Sequence, residues 1–349
     1  MSALEGAART VADEVLFPHA QRVDRSTVPR EHLDALADAG LFDLAELTPS
    51  EMRRVVATIG GGCGATFFVW VQHHGVVRNL ASSANDRLRD ALLDDFRTGR
   101  RLAGVAFAHV RRPGAAAVRA TRSAGSWRLD GHAPWATSWG LADRFCVAAV
   151  SDDDEMVWVM LPGHGAPGMT STPLELSVFA ATGTVALDFD SCQVDDTDVV
   201  AVSDVHDWRD GDRRRAAIGQ PAVLGVAERA VRLLAGLGPE AGETAQRLSD
   251  EIVERWAIDD DMLTAAASTP MSVVDSADRA ALETFVADAS DHRAACLDIG
   301  RRATTALLAA CGGAGMDLAH PAQRLAREST FYVIQAQTAD GRSATLRSL

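Results

Sequence analysis

The chain has 349 residues, 47% of them hydrophobic, with 34 basic against 48 acidic side chains and a formal net charge of -14. That is enough apolar chain for one large domain or two to three ordinary ones. The acidic balance has the wrong sign for a protein that binds by neutralising phosphates, so nucleic acid drops out as an expected partner.

The sequence contains no lysine, so every basic side chain other than histidine is arginine. This reads either as many bidentate anion sites or, more simply, as codon bias with solvated guanidinium groups. The five cysteines, Cys63, Cys146, Cys192, Cys296 and Cys311, stand singly without a Cys-x-x-Cys pair. Their odd number and spacing predict reduced thiols in a cytoplasmic setting and argue against zinc or a disulfide scaffold. At the N-terminus Glu5, Asp13 and Glu14 interrupt what a signal peptide would need. No apolar run approaches the roughly 18 residues of a membrane span, so no membrane insertion is expected.

From residue 3 to about 102 the spacing is helical: Val11, Val15 and Leu16, then Leu33, Leu36 and Leu41, then the nearly all-apolar GATFFVWVQHHGVVRNLA. Gly60, Gly61, Gly62 and Gly64 come just before that segment. A glycine-rich entrance to a helix suits phosphate, but with no preceding strand and no Gly-Lys-Ser/Thr the simpler expectation is a tight connection. Between 103 and 200 the runs VRATRS, SWRLDG, RFCVAAV, MVWVMLPG and TVALDFDSCQV alternate and are broken by Gly, Pro and Asp, which predicts a compact antiparallel β domain. The charged stretch VSDVHDWRDGDRRR reads as a linker, after which helical spacing returns. The expected division is a helical domain over 1–102, a β domain over 103–205 and a helical bundle over 206–349.

One short segment of the β region, GHAPWATSWGLAD, sets Trp135 and Trp139 around Thr137 and Ser138. Taken alone, tryptophans in a strand are core and the hydroxyls lie on strand faces. The order of elements together with Trp135-Ala136-Thr137-Ser138 and Ala142-Asp143 resembles the acyl-CoA dehydrogenase family, whose β domain reads roughly G-x-K-x-W-I-T-N-G-x-x-A-D. The resemblance runs from about residue 40 to the end. AACGGAGMDLAHPAQRLARESTFYVIQAQT looks like the family's last helices, with Gly312, Gly313, Gly315, Arg327 and Thr338 in place and Glu328 where the family has Asp.

The resemblance implies an α+β fold with an N-terminal helical domain, a middle antiparallel β-barrel-like domain and a C-terminal helical bundle. It also implies a flavoprotein oxidoreductase of fatty acid or lipid metabolism carrying FAD. Trp135 would pack along the flavin, Thr137 and Ser138 would hydrogen-bond its edge, and Gly312, Gly313, Gly315 and Thr338 would lie against the cofactor. The implied reaction is α,β-desaturation of an acyl-CoA or related thioester, with hydride passing to flavin N5. The implied assembly is a homo- or hetero-oligomer, dimer or tetramer.

That reaction needs a carboxylate to take the α proton. Ungapped overlay of the family's L-x-R-x-x-x-x-x-x-I-Y-E-G-T on Leu325 to Thr338 puts Ala336 at the glutamate, so the catalytic base is unassigned. An alternative family position falls near Arg215, with Asp210 and Asp212 a turn upstream; such acids beside arginines are more simply solvated helix-start charges. His73, His74 and His109 are the other titratable candidates, although a histidine on an apolar helix is more often packed than catalytic. Where the family has T-E-P-x-x-G-S-D this chain has HVRRPGAAAV, the R-x-x-F-G segment expected after residue 235 is missing, and Ala309 stands near the usual Gln. Arg111, Arg112 and Arg342 are candidate substitutes for the lost anion contacts.

Three functions follow: a desaturase with an unassigned base, a non-catalytic partner subunit whose companion supplies the glutamate, and altered flavin chemistry on the same fold.

Overall fold

The computed structural model describes residues 2–112, 114–269, 273 and 275–349. Six helices come first: α1 (Ala3–Val11), which continues through a π-helical turn into α2 (Phe17–Asp24), then α3 (Arg30–Asp38), α4 (Pro49–Gly62), α5 (Gly64–Ala81) and α6 (Asp86–Arg97). Strands β1 (Ala103–Ala106), β2 (Val118–Ser123), β3 (Ser126–Ala136), β4 (Arg144–Ser151), β5 (Glu155–Pro162), β6 (Met169–Pro173), β7 (Val185–Asp195) and β8 (Val199–Asp204) follow. Helices α7 (Val205–Ala217), α8 (Ala222–Leu234), α9 (Pro239–Ser268), α10 (Ser276–Cys311), α11 (Pro321–Tyr332) and α12 (Ala339–Ser348) complete the chain.

The strands form one sheet in the order β6-β7-β3-β2-β4-β5-β8, with β1 also beside β4. It is mixed rather than wholly antiparallel, because both β1 and β2 pair with β4 in parallel. The sequence signal for β4 and β5 explains why. Phe145, Val147 and Ala149 enter one apolar core with Val157, Val159 and Leu161, while Cys146, Ala148 and Val150 enter another with Met156, Trp158 and Met160. Strands buried on both faces read as continuous apolar runs and need helices as a cover. Here α5 and α6 supply it through Val76, Leu80, Leu88, Leu92 and Phe96.

The first and last groups of helices share a single apolar core. Gly60, Gly61 and Gly62 are not a connection; they lie inside α4, where it crosses α8. A Cβ on Gly61 would come within 2.4 Å of the Gly225 carbonyl oxygen, and one on Gly225 within 1.8 Å of the Ala57 oxygen. The glycines let two backbones touch, a steric rather than a phosphate-binding role.

The charged stretch expected to be a linker is instead the end of β8 and helix α7. Asp204 caps the helix by accepting from the amides of His206 and Asp207, and the charges along it find partners across the bundle. Arg213 binds Glu283 and Asp340, and Asp210 binds Arg279. The helix is polar to the eye because its partners are charges rather than apolar side chains.

Candidate active site

Trp135 lies where the pairing of β3 with β7 becomes irregular, between Ala133 and Ala136. Such an irregularity turns a side chain out of strict alternation. The indole is 41% exposed, the one large exposed ring among the seven tryptophans, and it makes no ring contact with another aromatic among the described residues. It is therefore not core. Trp139, by contrast, leans on Phe145 with ring centroids 5.5 Å apart and belongs to the margin of the β core.

Thr137 and Ser138 follow as buried residues. The Thr137 hydroxyl is 3.2 Å from that of Thr184, which is 2.8 Å from that of Thr182; Thr182 donates to the Phe179 carbonyl at 2.8 Å. Each hydroxyl has one proton, so the chain is polarised inward: Thr182 spends its proton on the carbonyl, Thr184 donates to Thr182, and Thr137 donates to Thr184. What Thr137 offers outward is acceptor capacity. Ser138 has φ of 79°, its amide donates to the Thr182 carbonyl at 3.0 Å, and its Oγ is buried without a partner. A half-exposed indole next to a buried hydroxyl without a partner offers a face for a flat ring and polar capacity beside it.

The C-terminal candidates each have a local surrounding of their own. Gly312 ends α10 with φ of 56° and ψ of -143°, a conformation open to glycine rather than to residues with a side chain, and a Cβ on Gly312 or Gly313 would meet nothing within 4 Å. Gly315 is buried against Cys311 and Leu308. Thr338 caps α12, its Oγ1 accepting from the Gly341 amide at 3.1 Å. No hydrogen bond or ring contact among the described residues joins Trp135, Thr137 or Ser138 to these positions. Arg327 ties α11 to Asp24 at 2.5 Å and to the Ser177 carbonyl at 3.2 Å, a structural bond.

None of the titratable candidates is arranged as a free base. His73 donates from Nε2 to the Phe96 carbonyl at 2.9 Å and accepts the Ala103 amide on Nδ1 at 3.0 Å, fastening α5 to β1 and α6; burial lowers its pKa to about 4. His74 is pushed far down by burial and stands edge-on to Trp70. His109 donates to the Ala148 carbonyl at 2.8 Å, and burial lowers it too. Both oxygens of Asp212 are taken by Arg111, at 2.6 and 2.8 Å. Ala336 has φ of 51°, and Arg293 grips the turn by donating to the Ala336 and Gln335 carbonyls at 3.0 and 2.6 Å and to that of Ala216 at 3.1 Å.

Two features escaped the sequence reading. Arg324 and Glu328 form a wholly buried pair at 2.7 Å, with the Gly64 amide at the start of α5 also donating to Glu328 at 3.2 Å. Burial pushes the Glu328 carboxyl up, against the pull of Arg324. Their i,i+4 spacing was legible, but that both face inward was not. The second is the pairing of Asp212 on α7 with Arg111 in the turn after β1, at 2.6 and 2.8 Å. Arg112 and Arg342 are exposed and make no side-chain bond among the described residues.

No family model matches the chain, and no curated protein matches it. Solved structures do. A nitrososynthase from Micromonospora carbonacea var. africana has 19% identity and a TM-score of 0.77, over 100% of both chains. Butyryl-CoA dehydrogenase from Megasphaera elsdenii has 16% identity and a TM-score of 0.75, over 99% of this chain and 96% of its own. TdsC from Paenibacillus sp. A11-2, solved with FMN and indole, has 13% identity and a TM-score of 0.79, over 99% and 96%. The chain has the acyl-CoA dehydrogenase fold.

Proposed function

We propose that this chain is a flavin-dependent oxidoreductase whose substrate chemistry does not use a carboxylate base of its own. The observation that carries this reading is the turn at Ala336: where the resemblance calls for a glutamate there is a methyl group, and the nearby carboxylates Asp210, Asp212 and Asp340 are each ion-paired. An unpaired carboxylate is what abstraction of an α proton would demand. The flavin, FAD or FMN, would supply two-electron redox chemistry when bound. Trp135 would stack on its ring, Ser138 would donate to its edge, and Thr137 would hold that edge in place as an acceptor. Relatives of this fold named as a nitrososynthase and as TdsC bound to FMN and indole support chemistry other than desaturation.

A second reading, an acyl-CoA dehydrogenase partner subunit with FAD shared across an interface, is favoured by the segment after α10. Gly312 and Gly313 face open space there, and Met316 and Leu318 are 73% and 53% exposed.

The test is the absorbance spectrum of the purified protein before and after incubation with FAD or FMN. We expect a bound-flavin band in the wild type and its loss in Trp135→Ala. Addition of acyl-CoA esters should leave the bound flavin oxidised. Bleaching by an acyl-CoA with this chain alone present would restore the desaturase reading, and failure to bind either flavin would end the flavin assignment.

A further inference from the structure

Helices α4, α8, α9, α10 and α11 enclose a small cavity in the bundle. Its wall includes Arg53, Asp259, Arg293, Cys296 and Tyr332, together with the start of α8 at Pro221 and Val223. The volume is about 10 Å³, room for one body the size of a water molecule and too little for phosphate, sulfate or a carboxylate. Arg293 reaches it past Gly219, whose φ is 76° and where a Cβ would stand 2.8 Å from Arg293 Cγ. The bare glycine makes the passage for the side chain.

The charges at this wall do not balance. Asp259 is matched by Arg53, which donates to its two oxygens at 2.6 Å each, with His292 3.3 Å from one of them. Burial lifts the Cys296 thiol to about 12, so it stays neutral. Arg293 is 3% exposed, and among the described residues no acid pairs with it. Its Nη1 donates to the Ala216 and Ala336 carbonyls and its Nη2 to that of Gln335, which are dipoles rather than charges. Its Nε is buried and donates to no group of the protein. Burial lowers the guanidinium to about 10, still cationic at neutral pH.

Donors without acceptors gather at the same place. Tyr332 is 2% exposed and its Oη has no partner; burial pushes the phenol well up, so it keeps its proton and can donate. Helix α8, thirteen residues long, begins after Pro221 with no side chain capping it. The Pro221 carbonyl takes the amides of Leu224 and Gly225, while those of Ala222 and Val223, both buried residues, donate to no acceptor among the described residues. Such amides carry the positive end of the helix dipole.

We propose that this cavity holds one monatomic anion, chloride, among Arg293 Nε, Tyr332 Oη and the free amides at the start of α8. A water accepts two hydrogen bonds and brings two protons that need acceptors of their own, which suits a ring of donors poorly and leaves the guanidinium charge unanswered. A halide accepts from every side and supplies the missing charge. It ties α8, α10 and α11 to one point, through the same guanidinium that holds the turn at Ala336. The binding requires no flavin.

The test follows thermal unfolding of the full chain in sodium chloride and in sodium gluconate at equal ionic strength, and grows crystals in sodium bromide. Chloride should raise Tm along a saturating curve, by about 2 °C once the salt is roughly tenfold above its midpoint, while gluconate, too large for the cavity, should not. Bromide should give an anomalous-difference peak within hydrogen-bonding distance of Arg293 Nε and Tyr332 Oη. Tyr332→Phe keeps the ring and loses one donor, so it should raise the chloride midpoint about tenfold. Arg293→Gln should abolish the response; because it also frees the turn at Ala336, the comparison rests on the tyrosine variant. Chloride and gluconate acting alike, or a chloride midpoint unchanged in Tyr332→Phe, overturns the proposal. So does a bromide crystal without a peak in the cavity, whatever the salts do in solution. A bromide peak with no chloride response in solution is an adventitious ion only and counts equally against it.

Discussion

Arg324 and Arg215 both come from C-terminal helices, yet their surroundings are opposite. Arg324 is fully buried, and the chain provides its counter-ion, Glu328 at 2.7 Å, with a helix-start amide to share the carboxylate. Arg215 and its neighbour Arg78 reach solvent and have no bonded acid, while the one carboxylate nearby is committed to Arg111. A guanidinium with no access to water must be matched from within, because an isolated buried charge costs several kcal/mol. Where water stands in for a partner, the mismatch is tolerated.

The sharpest way to break this contrast is to remove the inner counter-ion. Glu328→Gln should cost about 3–5 kcal/mol in denaturant unfolding, as expected when one member of a buried pair is lost. Replacing Arg324 and Glu328 together by apolar residues of similar size should recover most of that loss; a double variant as unstable as the single would show that the pair does more than neutralise itself.

Next in size is an effect of pH on buried groups without a counter-ion. His73 has an unfolded pKa of 6.5 and a folded pKa of about 4, with His32 lowered by burial in the same direction. The unfolded chain therefore takes up the proton first. Stability is complete above pH 6.5 and falls as the pH drops toward 4, by up to about 3 kcal/mol for His73 alone. His73→Gln should flatten that slope, and an unchanged slope would place the titration elsewhere.

A smaller change tests the arginines that reach solvent. Asp212→Asn should cost about 2 kcal/mol in unfolding free energy by freeing Arg111. Arg78→Gln should change stability by less than about 0.5 kcal/mol. A loss several times larger would reveal a partner for Arg78 within the fold and undo the contrast.

The same contrast marks how far the sequence could be read. The helical and strand regions were legible because burial imposes periodicity, and Trp135 with its two hydroxyls stood out in a chain that is only 5% aromatic. The parallel pairing of β1 and β2 with β4 was not, since continuous apolar runs carry no strand direction. Gly61 and Gly225 are 164 residues apart in number and meet only in the folded chain, so the glycine cluster read as a turn. Helix α7 read as a linker because its partners, Glu283, Asp340 and Arg279, lie far along the sequence. Thr137 was legible as a hydroxyl beside an indole, but the direction of its proton depends on Thr182 and Thr184.

The turn at residue 336 is held by its main chain rather than by its side chain. A guanidinium from α10 clasps the main chain at Gln335 and Ala336, so the course of the turn is indifferent to the group mounted on it. The left-handed φ of 51° sets a bias at this position: aspartate or asparagine settles there more readily than glutamate.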